Sequence, residues 1–171
     1  MTMEIWLRRA EGLVEAVGKG VSWIILVLIG AITYDVIMRY AFSSPTIWSF
    51  DLSYMLGGTL MLMGLSYAHK YRSHVRVDIF VKQCSPKVRV VLEVLFTAVF
   101  FLPLMAVLLQ ISFVRMVDAW EIGEISRLGM WHPSMVPFRV MMFVAFVLLA
   151  LEGIAQLIVN AKRLFRGQYD G

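Results

Sequence analysis

From Val94 to Val114 the chain reads VLFTAVFFLPLMAVLLQISFV, 21 residues without a charge. At about 1.5 Å of rise per residue this makes a helix of about 31 Å, which matches the ~30 Å hydrocarbon core of a bilayer. Two apolar segments precede it and one follows. Val21 to Met38 carries the single charge Asp35, Leu52 to Ala68 carries none, and Val140 to Ala161 carries only Glu152. Each reaches crossing length once its flanking turns are counted. The reading is an all-α integral membrane protein, one domain over 1–171, with transmembrane helices over about 20–40, 45–69, 86–115 and 134–161.

Composition agrees with this and excludes other classes. Apolar residues make up 60% of the chain and charged residues 16%, against about 25% charged in soluble domains. One cysteine, Cys84, forms no intrachain disulfide, and three histidines with one thiol give no zinc-type spacing. The net charge of +4 does not point to nucleic acid, because the basic residues stand at the ends of apolar segments rather than along one polar face.

Orientation follows from the retention of Lys and Arg on the cytoplasmic side. Arg8, Arg9, Lys19, Lys70, Arg72, Arg76, Lys82, Lys87, Arg89, Lys162, Arg163 and Arg166 fall on one side, while only Arg39, Arg115, Arg127 and Arg139 fall on the other. Both termini are expected to be cytoplasmic, with the links after the first and third spans facing outward. The first span is read as an uncleaved signal anchor, since its apolar run exceeds a signal core and no small-residue cleavage site follows. Ahead of it, Met3, Trp6, Leu7, Ala10, Leu13, Val14 and Val17 form an apolar stripe opposite Glu4, Arg8, Glu11 and Glu15. This predicts a helix over 1–18 lying in the cytoplasmic interface; a solvated helix packed on a protein partner is the alternative. Residues 162–171 form a cytoplasmic tail.

Prolines punctuate the spans. Ser44-Pro45 and Ser85-Pro86 each set a capping hydroxyl before a proline suited to the first helical position, so spans two and three are expected to start there. His132-Pro133 and Pro137 crowd the start of span four, and Pro103 is expected to kink span three unless neighbouring groups satisfy the carbonyl it frees.

Ionisable groups at membrane depth call for partners or function. Asp35 and Arg39 are spaced i,i+4 for an ion pair, and Glu152, about 10 Å from the inner end of span four, calls for a basic partner or a proton-relay role. These three are the candidate intramembrane ion-pair residues. Asp51 sits where the positive end of a helix dipole favours a carboxylate, one turn after Trp48. It serves either as a dipole-stabilised acid or as a contact for Arg39 or another subunit. Ser53, Gly57, Gly64 and Ala68 share a small-residue face, available for packing within the chain or against a partner. His69 and His74 fall on one side and His132 on the other, so no facing pair of axial haem ligands exists. No nucleophile-base constellation or glycine-rich phosphate loop appears, and neither catalysis nor a bound cofactor is expected.

Several residues in order add a resemblance: Arg39-Tyr40-Ala41-Phe42, Trp48 followed by Asp51, then Gly64, and His74-Val75-Arg76-Val77-Asp78 after span two. Over about residues 20–160 the chain resembles the DctQ-like small membrane subunit of tripartite ATP-independent periplasmic (TRAP) transporters. The resemblance implies a scaffold in the bacterial inner membrane. Its expected partners are membrane lipid, a large multi-spanning subunit that carries the substrate and sodium sites, and a periplasmic receptor that delivers the substrate. The transporter is expected to import organic acids on the sodium gradient. Arg39, Tyr40, Trp48, Asp51, Gly57, Gly64, His74, Arg76 and Asp78 become candidate interface or structural residues. The family more often has glutamate at the position of Asp51, so any contact the shorter side chain makes must be closer or differently angled. In the outward link from Arg115 to Arg139, Asp118, Glu121 and Glu124 are candidates for receptor docking. Two other readings stay open: a self-contained carrier or channel acting as a homo-oligomer, with Glu152 or Asp35 as the coupling acid, and the membrane anchor of a redox enzyme.

Overall fold

A computed structural model of the chain describes residue 12 and residues 18–70 and 86–166. His74, Arg76, Asp78 and nearly all of the helix expected over 1–18 lie outside the described residues, as does the tail beyond Arg166. Among the described residues there are helices and links but no strand. The elements are α1 (Ile24–Ala41), α2 (Ser49–Lys70), α3 (Pro86–Phe96), a π-helical turn (Thr97–Phe101), α4 (Leu102–Ile122) and α5 (Val136–Arg166).

The uncharged stretch behaves as its composition dictates. α3, the π turn and α4 run on as one helix, Lys87–Ile122, of 36 residues. Its length, about 54 Å at 1.5 Å per residue, exceeds the hydrocarbon core, so its charged ends project beyond the apolar Val94 to Val114 segment. Pro86 opens α3, where its missing N–H costs nothing. Just upstream of Pro103 the backbone widens into the π turn, where the Leu102 N–H donates to Thr97 O. The adjustment lets the helix continue past a residue that cannot donate. α4 stops at Gly123, whose left-handed backbone (φ 61°) turns its own N–H onto Ala119 O, a conformation that a Cβ would penalise.

Span two starts later than its sequence suggests. Pro45 does not open α2; Ser44 donates its N–H to Met38 O at 3.0 Å, closing α1 through Ser43 in the left-handed region (φ 51°). The helix begins at Ser49, with Leu52 N–H on Trp48 O. At the other end of the chain, α5 continues through residues 162–166, past the expected end of the span at 161 and into the expected tail.

The helices alternate in direction. Tyr34 of α1 stacks on Trp48 just ahead of α2, and Val21, ahead of α1, packs against the cluster around Met63 and lines a groove with Leu60, Gly64 and Tyr67 of α2. Tyr54 and Met63 of α2 meet Phe138 and Leu148 of α5, in the same order along both helices. α4 runs against α5, pairing Met105 with Leu149 and Phe113 with Phe143. Links 42–48 and 123–135 therefore lie at one end of the bundle.

α5 is the central element, packed on α2, α3 and α4, whereas α1 packs on α2. Ala145, Leu148, Leu149 and Ala150 of α5 are buried against Met63 and Met105. Lipid tails are as apolar as leucine, so close packing rather than water exclusion holds such helices together. Glycine provides it at three helix contacts: a Cβ on Gly153 would overlap the Phe101 ring, one on Gly18 would overlap the Tyr67 ring, and one on Gly58 would come within 2.9 Å of the Phe138 ring.

Three segments are long and apolar enough to cross a membrane: Gly18–Ala41, Lys87–Ile122 and Val136–Lys162, with hydropathies of 2.2, 2.5 and 2.3. α2, at 22 residues, is long enough but less apolar, because it carries Asp51, Ser53, Gly57, Gly58, Thr59 and Gly64. Its position between α1 and α5 explains that composition. A helix sheltered on two sides holds polar and small residues that a lipid-facing helix does not.

Candidate functional site

Polar side chains gather at the end of the bundle that holds the two links. In the first link, the carboxylate of Asp35 on α1 is buried and accepts from Arg39 Nη2 at 2.8 Å, one helical turn on. It also accepts from the backbone N–H of Thr46 at 3.0 Å and from the Thr46 hydroxyl. One carboxylate thus ties the end of α1 to the chain that leads into α2, which places Trp48 on Tyr34. Tyr40 is 81% exposed and projects from the bundle beside Arg39.

The second link folds back over the start of α2. Ile125 and Ser134 form an isolated antiparallel bridge, in which Ser126 N–H donates to Pro133 O and Met135 N–H donates to Glu124 O, both at 2.8 Å. Beneath this hairpin Asp51 is 1% exposed. Its Oδ1 accepts from the Ser126 hydroxyl at 2.5 Å, and Gly129 lies so close that a Cβ there would overlap the carboxylate. Oδ2 has no hydrogen-bond partner among the described residues. Within the chain Asp51 therefore contacts the second link, not Arg39, which is held by Asp35.

Glu124 and Arg139 lock the same hairpin to α5. Arg139 Nε donates to Glu124 Oε2 at 3.0 Å and Nη2 to Oε1 at 2.7 Å, the bidentate geometry that makes such pairs strong. The hydrogen bonds from Arg139 hold the Glu124 carboxyl below its ordinary pKa; partial desolvation opposes them, and the charges of Arg139 and Arg115 reinforce them. Asp118 and Glu121 are exposed and line an open cleft of about 860 Å³ together with Tyr54, Arg115, Arg127 and Arg139.

Glu152 joins neither Asp35 nor Arg39. It is buried on α5 and accepts from Gln156 Nε2 at 3.1 Å, with Oε2 unpartnered among the described residues. Among the described residues its partner is an i,i+4 amide and no basic side chain. Further along α5, Asn160 Nδ2 donates to Glu93 Oε2 at 2.9 Å and ties α5 to α3. On α2, a Cβ at Gly57 or Gly64 would meet nothing within 4 Å. The close approach within this chain is made by Gly58, one position off the expected small-residue stripe.

Thr46, Ser126, Gly129 and Asn160 were not singled out from the sequence. A lone hydroxyl or amide in a link carries no signal of its own. The opposite charges Glu124 and Arg139, flanking a turn-rich link, were the one legible hint.

Residues 28–163 match the sequence profile described as tripartite ATP-independent periplasmic transporters, DctQ component. The chain belongs to the DctQ family. No curated protein matches it. The match covers α1 beyond Val27, all of α2 to α4 and α5 to Arg163, and so includes both polar ties at the link end and the Glu93–Asn160 contact. DctQ is a transporter-component family, the small membrane subunit of the tripartite system. The two tied links, with α5 at the centre, are thus features of a multi-pass transport subunit.

Proposed function

We propose that this chain is the small scaffold subunit of a sodium-coupled, receptor-dependent transporter that imports organic acids. It supports a larger multi-spanning subunit and binds neither substrate nor sodium itself; both sites belong to that partner. The observation that carries this reading is the use made of the charged side chains. Asp35 ties α1 to the first link, Asp51 holds the second link over α2, and Glu124 with Arg139 locks that link to α5. A transporter that moves one body against another needs the second fixed in the bilayer, and these contacts make a fixed body.

The alternating helix directions favour four crossings, with α2 running the height of the bundle beside α1 and α5. Taken with the uneven distribution of Lys and Arg, they favour cytoplasmic termini in the bacterial inner membrane, with links 42–48 and 123–135 on the periplasmic side. Receptor docking falls to Asp118 and Glu121, which make no hydrogen bond or ion pair among the described residues, while Glu124 is engaged by Arg139.

Vesicle uptake tests the proposal. Vesicles holding this chain with its larger membrane partner, given receptor and an inward sodium gradient, are expected to accumulate an organic acid, and vesicles holding this chain alone to accumulate none. Uptake by this chain alone would overturn the scaffold assignment in favour of a self-contained carrier.

A further inference from the structure

One face of α4 is at odds with a surrounding of lipid alone. Met105, Ser112 and Ala119, seven residues apart, are the buried positions of this helix. At 100° per residue, positions two removed from these project from the opposite side: Pro103, Val107, Gln110 and Val114, all exposed. Gln110 lies inside the uncharged stretch, five residues or about 7 Å before Arg115, and its side-chain amide makes no hydrogen bond among the described residues.

Reaching for the headgroup layer does not relieve it. Side chains on a helix tilt toward its N-terminus, and from Gln110 that direction leads toward Pro103 and the middle of the bilayer. In hydrocarbon an amide without a partner is costly, and polar side chains there mark contacts between helices. Near the outer end of the face, a groove of about 360 Å³ opens between Met116, Val117, Trp120, Glu121 and Val140, of a size to receive side chains from a neighbouring helix.

Resting on the function proposed above, we propose that the α4 face of Pro103, Val107, Gln110 and Val114 is the docking surface for a transmembrane helix of the large transport subunit, which presents a hydrogen-bonding group to the Gln110 amide. A second copy of this chain fits poorly. A two-fold axis along the membrane normal pairs each residue with itself, which brings Glu121, two positions past buried Ala119 on this face, against its own copy. Like charges placed face to face select against that pairing.

The test is photo-crosslinking in native membranes, with a benzophenone amino acid at position 107 or 110 of the full chain, read beside co-purification of the unsubstituted chain. Both positions are expected to crosslink to one larger polytopic protein. Gln110→Leu is expected to lower the amount of that protein retained by about threefold, as one interhelical hydrogen bond implies, without lowering the thermal stability of this chain. Crosslinks to lipid or to a second copy alone, while the larger protein still co-purifies, would overturn this face and leave the scaffold assignment standing; wild-type retention by Gln110→Leu would do the same. Failure of the unsubstituted chain to retain any larger membrane protein would overturn both.

Discussion

Substitution Ser126→Ala isolates the contact that closes the second link. In the native chain the Ser126 hydroxyl donates to Asp51 Oδ1 at 2.5 Å, while Oδ2 has no partner among the described residues. The alanine variant removes that donor and leaves a carboxylate that is 1% exposed. A hydrogen bond to a charged group is worth about 1.5–3 kcal/mol, and leaving a buried charged acceptor unpaired adds to the loss. Taking about 2–3 kcal/mol and 1.36 kcal/mol per decade, the equilibrium for lifting the hairpin from α2 shifts by roughly 30- to 150-fold. Hydrogen exchange in nanodiscs reads this directly at the amides of Ser126 and Met135, which hold the hairpin together. Their exchange is expected to accelerate by that factor, while the amides of the α4–α5 core stay unchanged. Asp51→Asn, which keeps an acceptor oxygen but loses the charge, is expected to fall between wild type and Ser126→Ala. Unchanged exchange at the hairpin in Ser126→Ala would refute the view that this contact holds the link.

Acid is expected to loosen the same hairpin by a second route. Arg139 holds the Glu124 carboxyl below its ordinary value, so the folded state binds fewer protons at this site than the unfolded one. The stabilisation is complete above the ordinary carboxylate range and is lost as pH falls through the depressed value. Because the pair is partly solvated, the effect is about 1 kcal/mol or less, and exchange of the Met135 amide against pH reads it; Glu124→Gln is expected to abolish the pH dependence. Gly153→Val drives a side chain into the Phe101 ring and is expected to cost about 1–3 kcal/mol by overpacking, seen as a lower unfolding temperature in detergent. Asp35→Ala frees both Arg39 and Thr46. It is expected to raise the labelling rate of a cysteine placed at Ile47, with the Ser126 amide unaffected.

Elements whose logic is local were legible in the sequence. The run from Val94 to Val114 announces a crossing helix by composition alone, and Pro86 marks the start of that helix through its missing N–H. The i,i+4 spacing of Asp35 and Arg39 sets both on one helix face. The start of α2 was misread because Ser44-Pro45 has the local signature of a helix start, while a contact eleven residues back, from Thr46 to Asp35, holds the chain in a link until Ser49. The site was less legible for the same reason. Asp51 meets Ser126 across 75 residues, and Asn160 meets Glu93 across 67. Hydroxyls and amides reveal such roles only once the helices are packed. Glu152 looked like half of an ion pair because charge at membrane depth calls for a counter-charge. Within this chain a neutral amide from the next turn meets one of its oxygens.

Affinity purification of the tagged chain from its native membrane in mild detergent, with the intact mass of the complex and identification of everything retained, tests the scaffold assignment most directly. A stable pairing with one larger polytopic membrane protein is expected. Recovery only as a homo-oligomer, in each of several mild detergents, would contradict it.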